Sequence, residues 1–256
     1  MPKTRRVRIE DKTIVKSGNP SLIRVEVEKT RRARQIGEET GLFRVPKILD
    51  YDETRGVVVF ERIFGIEPLV RAARWGREYE ELGGRLGASL AAIHAGLSLP
   101  SDMIIRIPED ITHEGHDVFL HGDFGVKNIC LDRESSSVVI LDWQFTDAHG
   151  GTATYGSRYF DIIWFVNNLL WIPTMGHLFG DPVKPVAHRF IRSYFRTAGL
   201  SYDATDFSAY AERFFKIKRP ERKNMSRRRY IFLPRCHALT RRFVKSLRTD
   251  ICHENV

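Results

Sequence analysis

Three polar residues near the middle of the chain have the types and spacing for chemistry. In VFLHGDFGVKNICLDRESSSVVILDWQF (Val118–Phe145), Asp123 follows His121-Gly122, Asn128 stands at +5 from it, and Asp142 follows the apolar run Val138–Leu141. A carboxylate, a carboxamide and a second carboxylate, each beside a strand, suit a general base and a cage of hard oxygen ligands for a divalent cation, the equipment of phosphoryl transfer. Either aspartate alone would read as a polar cap on a strand end. The set of three reads as a site.

The elements that must position these residues are legible as patterns. Arg5–Ile9 and Thr13–Lys16 read as short strands around an Asp11-Lys12 turn, broken by Gly18-Asn19-Pro20. Ser21 is the expected N-cap of a charged helix running to Glu39 and ended by Gly41. Val45–Leu49 and Val57–Glu61 pair around a turn-forming loop, and the apolar VVVF marks the second strand as central. Leu82, Leu86, Leu90 and Ile93 recur at helical spacing and make one apolar face. Gly83, Gly84 and Gly87 lack the preceding strand and terminal Lys-Ser/Thr of a phosphate loop, and His94 reads as a packed or surface histidine. After Phe145, residues 146–158 read as a loop bordering an acceptor site. A hydrophobic helix opens at Tyr159, followed by helices over Val186–Ala198, Phe207–Phe215 and Arg227–Arg248, the last broken at Pro234.

The composition bounds the class. With 256 residues, 42% hydrophobic and 29% charged, the chain is globular, as one domain or two packed lobes. From Arg213 to Arg248 there are 14 Lys or Arg against one acid, a local charge of +13, so the rest carries −4 of the net +9. Such a segment favours an anionic acceptor, nucleic acid or an acidic membrane surface, against the plainer reading of a solvated helical face. Cys130, Cys236 and Cys252 have no zinc or disulfide spacing and read as reduced thiols. The N-terminal stretch has no apolar signal region, and the apolar run Ile162–Pro173 is too short to span a bilayer. The expected location is the cytoplasm, with peripheral contact at the inner membrane face as an extension.

HGDFGVKN followed by VVILDW resembles the aminoglycoside phosphotransferase and choline kinase superfamily, near lipopolysaccharide core kinases, a branch of the protein-kinase-like fold. The motif match runs from Leu120 to Asp161, and a looser strand, helix and hinge pattern extends it back to Lys16. The resemblance implies an α+β fold of two lobes: a reduced N-terminal β lobe, 1–62, that binds nucleotide, and a mainly helical C-terminal lobe, 63–256, for catalysis and acceptor. It implies ATP or GTP as donor, Mg²⁺ as cofactor and a hydroxyl of a small molecule or glycan as acceptor.

The resemblance also assigns roles. Asp123 orients the acceptor hydroxyl and takes its proton, His121 braces the loop, and Lys127 reaches the transferred phosphate. Asn128 and Asp142 ligate Mg²⁺, and Asp161 supports the catalytic loop by accepting backbone N–H bonds. Lys16 holds the nucleotide phosphates, with Glu28 favoured over Glu26 as the helix glutamate that orients it. Glu61 and Ile63 belong to a hinge whose backbone pairs with the base. Asp123-Phe124-Gly125 spells the kinase metal motif, but its place before Asn128 and Asp142 makes it part of the catalytic loop. One departure stands out: none of the 15 residues before Lys16 is glycine, so the glycine-rich phosphate loop is absent or replaced by the basic Lys3–Arg6. That departure keeps an alternative open, a catalytically weak nucleotide-binding pseudo-kinase whose basic segment binds an anionic partner such as nucleic acid.

Overall fold

The computed structural model describes residues 6–71, 78–113, 115–146, 151–170 and 183–217, together with 238, 241–244 and 246–247. The chain is α+β. Its first part is a four-stranded antiparallel sheet in the order β1-β2-β4-β3, built from β1 (Arg6–Ile9), β2 (Thr13–Ser17), β3 (Ile48–Asp52) and β4 (Val57–Glu61). The apolar β4 lies between β2 and β3, and its Val58 is fully buried. By contrast β1 is an edge strand exposed along its whole length.

Helix α1 (Pro20–Thr40) packs on this sheet. Its N-cap is Asn19, not Ser21: the Asn19 side chain accepts the Ser21 N–H, and Pro20 takes the first helical position, where no N–H is needed. Gly41 closes the helix in the left-handed region at φ 65°. Ile23 and Val27 of α1 join Val58 in a small apolar cluster, whereas Ala33 and Ile36 enter the large cluster that fills the rest of the molecule. One helix therefore belongs to both cores.

The remainder is mainly helical. Helices α2 (Glu78–Gly96), α3 (Tyr159–Leu170), α4 (Lys184–Thr197) and α5 (Ala204–Ile217) surround short hairpin strands. A three-stranded sheet is formed by β5 (Ile66–Pro68), β7 (Ile129–Asp132) and β8 (Val138–Ile140), and a two-stranded one by β6 (Asp117–Phe119) and β9 (Tyr155–Ser157). The α2 glycines serve packing. A Cβ on Gly83 would lie 2.5 Å from the Val186 carbonyl oxygen and one on Gly87 2.2 Å from that of Phe190, so α4 rests directly on the α2 backbone. The expected helix over Arg227–Arg248 lies largely outside the described residues. Among those residues, no helix is long and apolar enough to cross a membrane.

Candidate active site

The turn after β6 carries the first half of the site. His121-Gly122-Asp123 leaves the strand with Gly122 at φ 88°, and a Cβ there would lie 2.5 Å from the Phe145 ring. Both the conformation and the space require glycine. The loop is held from below by Asp161 on α3, whose carboxylate is fully buried. It accepts the His121 N–H at 2.8 Å and the Gly122 N–H at 2.9 Å. His94 of α2 donates to the same carboxylate from Nε2 at 3.1 Å while its Nδ1 accepts from the Tyr194 hydroxyl at 2.8 Å. Burial alone would raise the Asp161 pKa, but the His94 hydrogen bond, the two nearby histidines and the Gly122 N–H outweigh it and hold the carboxyl below its ordinary range. His94 is thus the brace of the brace, a role its position on an apolar helix face did not reveal.

Asp123 projects from this turn with both oxygens engaged. Oδ2 accepts from Asn128 Nδ2 at 2.7 Å, and Oδ1 accepts from the Trp164 indole N–H at 2.7 Å. Its own N–H donates to His121 Nδ1 at 3.1 Å. Burial pushes its pKa up to about 6, opposed by the Asn128 and Trp164 hydrogen bonds. His121 is fully buried, and the loss of water drives its pKa down to about 4, so the ring is neutral and its hydrogen bonds serve the loop.

The second half comes from β2, α1 and the segment after β8. Lys16 on β2 is 4% exposed and its ammonium bridges Glu26 of α1 and Asp142, the latter at 2.9 Å. This corrects the helix glutamate. Glu28 lies two residues further on, about 200° around the helix, where it pairs with Arg32 at 3.0 Å on the outer face. Asp142 has φ 57°, a left-handed conformation uncommon for a residue with a side chain and one that marks functional sites. Three residues after Glu26, Lys29 is completely buried and donates to the His121 carbonyl at 2.6 Å. Desolvation lowers its pKa to about 8, against the pull of Asp161, Glu26, Asp142 and Asp123.

Lys16, Glu26, Asn128 and Asp142 line a cleft enclosing about 260 Å³. Its lining combines apolar Val7, Ile14, Phe60 and Leu141 with these polar side chains. Glu61 also borders it, its side chain accepting the Lys47 N–H at 2.7 Å. Ile63 follows in the half-buried stretch where the chain leaves β4, just before the exposed Phe64. Lys127 is exposed beside Asn128 and takes no part in the bonded cluster described above. Between β1 and β2 the turn is closed by the Glu10 N–H to the Thr13 carbonyl at 2.9 Å, and no glycine-rich cradle is formed there.

The donor set fits Mg²⁺. Asn128 turns its amide nitrogen to Asp123, leaving its carbonyl oxygen to face elsewhere, and Asp142 supplies carboxylate oxygen in the same cleft. Hard oxygen ligands of this kind are what Mg²⁺ takes.

The fold and this site together define a class. The chain has the kinase-like fold of choline kinases and aminoglycoside phosphotransferases. A choline/ethanolamine kinase family protein from Mesorhizobium loti superposes with a TM-score of 0.54 at 14% identity, covering 95% of this chain and 90% of that one. Choline kinase LicA from Streptococcus pneumoniae gives 0.54 at 11% identity, covering 94% and 90%. An ADP-bound aminoglycoside phosphotransferase gives 0.50 at 10% identity, covering 94% and 93%. No protein-family model matches the sequence, and no curated protein matches it either.

Proposed function

We propose that the chain is a small-molecule kinase that moves the γ-phosphate of ATP to a hydroxyl. The observation that carries this reading is the convergence of two bonded groups, Asp123 with Asn128 and Lys16 with Glu26 and Asp142, of which Asn128, Lys16, Glu26 and Asp142 line one cleft together with apolar side chains. In this reading residues 1–62 form the nucleotide lobe and 63–256 the catalytic and acceptor lobe. The purine lies against Val7, Ile14, Phe60 and Leu141, with hinge backbone at Glu61 and Ile63 in reach of its edge. Lys16, held by Glu26, meets the phosphates.

Asp123 receives the proton of the acceptor hydroxyl as the oxygen–phosphorus bond forms, its orientation fixed by Asn128 and Trp164. Asn128 and Asp142 hold Mg²⁺, which neutralises phosphate charge when bound. Without a glycine-rich cradle between β1 and β2, the Lys16 ammonium carries more of the phosphate grip than backbone amides do. GTP fits the same cleft chemistry, and a nucleotide titration distinguishes the two donors.

The acceptor in this reading is a small molecule or glycan. Fold relatives are named for choline and aminoglycosides, which are cationic. The +13 segment of this chain favours an anionic acceptor instead, such as a phosphorylated sugar or a lipopolysaccharide core. A Mg-ATP binding titration, followed by a labelled-ATP screen over such acceptors with wild type and Asp123→Ala, tests the reading. Asp123→Ala should keep nucleotide binding and lose turnover by a factor of about 100 or more, whereas Asp142→Ala should lose the Mg²⁺ dependence of binding. Turnover of Asp123→Ala equal to wild type would remove Asp123 as the base, and nucleotide binding without turnover on any acceptor would overturn the kinase reading.

A further inference from the structure

Outside the cleft, the described residues gather one other set of ligand-type side chains. We propose that His113, His116 and Asp206 form a second cation site, selective for a transition-metal ion of the zinc type. One ligand atom from each lies within 4.8 Å of the other two. His113 Nε2 is 2.7 Å from Asp206 Oδ1 and His116 Nε2 is 3.4 Å from Oδ2. The two imidazoles stack, with centroids 5.3 Å apart and planes within 3°. The Tyr159 hydroxyl donates to Asp206 Oδ2 at 3.0 Å and fixes the carboxylate from behind, as outer-shell partners of metal ligands do.

All three side chains are partly exposed, so an ion reaches them from solvent. Two imidazoles and one carboxylate suit Zn²⁺ or Co²⁺, whereas Mg²⁺ and Ca²⁺ take oxygen ligands. Three protein ligands leave a fourth position for water, so the ion exchanges rather than being sealed in.

Arg213 is the competitor. Its guanidinium donates to His113 Nδ1 at 2.7 Å, which puts the His113 proton on Nε2, facing Asp206. In the metal-free protein this hydrogen bond keeps the ligands converged. On loading, that proton transfers to Nδ1 and the exposed Arg213 turns away, so the ring remains neutral and its Nε2 lone pair faces the ion. The site also has a structural reach. His113 and His116 lie between the 3₁₀ turn Glu109–Ile111 and β6, Asp206 is on α5, and Tyr159 opens α3 two residues before Asp161. A bound ion clamps α5 to the strand that enters the catalytic loop.

The test is titration of the full chain with Zn²⁺ and, for its spectrum, with Co²⁺, at neutral pH. Both are run also in a Cys236→Ser/Cys252→Ser background, which removes the thiols that would compete as soft ligands. The expected result is one equivalent bound, a visible Co²⁺ band of four-coordinate intensity, and no competition from excess Mg²⁺. His116→Ala and Asp206→Asn should each weaken binding by about tenfold or more. Arg213→Gln should tighten it, because the glutamine carbonyl accepts the Nδ1 proton that arginine opposes. The circular dichroism of each metal-free variant verifies that it is folded. Absence of saturable binding, or binding of equal strength in wild type, folded His116→Ala and folded Asp206→Asn, would overturn the proposal.

Discussion

At the scale of the residue, the proposed base is unusual in having both oxygens occupied. Trp164 donates to one oxygen of Asp123 and Asn128 to the other. The indole N–H stabilises the ionised carboxylate, so it opposes the burial that raises the pKa to about 6. A base must be ionised to accept a proton, so kcat/KM should fall below about pH 6 in wild type. Trp164→Phe keeps an aromatic ring and deletes the donor. A hydrogen bond to a charged group contributes about 1.5–3 kcal/mol, or roughly one to two pKa units. The acid limb of the pH–rate profile should therefore move to higher pH by about that much, with turnover reduced at neutrality. An unshifted limb would show that the indole does not tune the base.

At the scale of the element, α1 sets the geometry of the cleft. It spans both apolar clusters, presents Glu26 to Lys16, and one turn later sends Lys29 into the His121-Gly122-Asp123 turn at the His121 carbonyl. Lys16 and the loop bearing Asp123 are thus tied through one helix. Lys29→Met keeps the length of the side chain and removes the tie, leaving a buried carbonyl without its donor. The expected cost is about 1–3 kcal/mol of stability, read from the urea midpoint. Turnover should fall by a larger factor than Mg-ATP affinity, since the loop rather than the nucleotide loses its support. A variant as stable and active as wild type would mean the tie is dispensable.

At the scale of the whole molecule, burial of titratable groups makes opposing contributions to acid stability. His121 stays neutral in the folded protein down to about pH 4, whereas the unfolded chain protonates near 6.5. The unfolded state binds more protons in that interval, so this group removes stability as pH falls, by on the order of 3 kcal/mol. Asp123 acts with the opposite sign. Its folded pKa of about 6 lies above the unfolded value, so its contribution is present at low pH and lost as pH rises through about 6. From these two groups the wild type should be nearly flat between about pH 4 and 6. Asp123→Asn should lose stability as pH falls over that range, and His121→Asn should gain it. Urea midpoints measured against pH check both slopes, and parallel curves for the three proteins would refute the balance.

What the sequence determined by itself is local. The HGD turn, Asn128 five residues after its aspartate and Asp142 behind its strand are read within 22 residues, because strand ends and their turns are set by neighbours in the chain. The role of VVVF as an inner strand and the helices up to α5 follow from periodicity for the same reason, whereas the strand before VVVF begins at Ile48 rather than the expected Val45. The tertiary structure decided the partners. Whether Glu26 or Glu28 meets Lys16 depends on which way α1 is rotated, and that is set by Ile23 and Val27 packing on Val58, not by helix propensity. Trp164 reaches Asp123 across 41 positions, His94 reaches Asp161 across 67, and Lys29 reaches His121 across 92. No pattern along the chain announces such contacts. They exist because buried polar groups must find partners wherever the apolar packing happens to bring them.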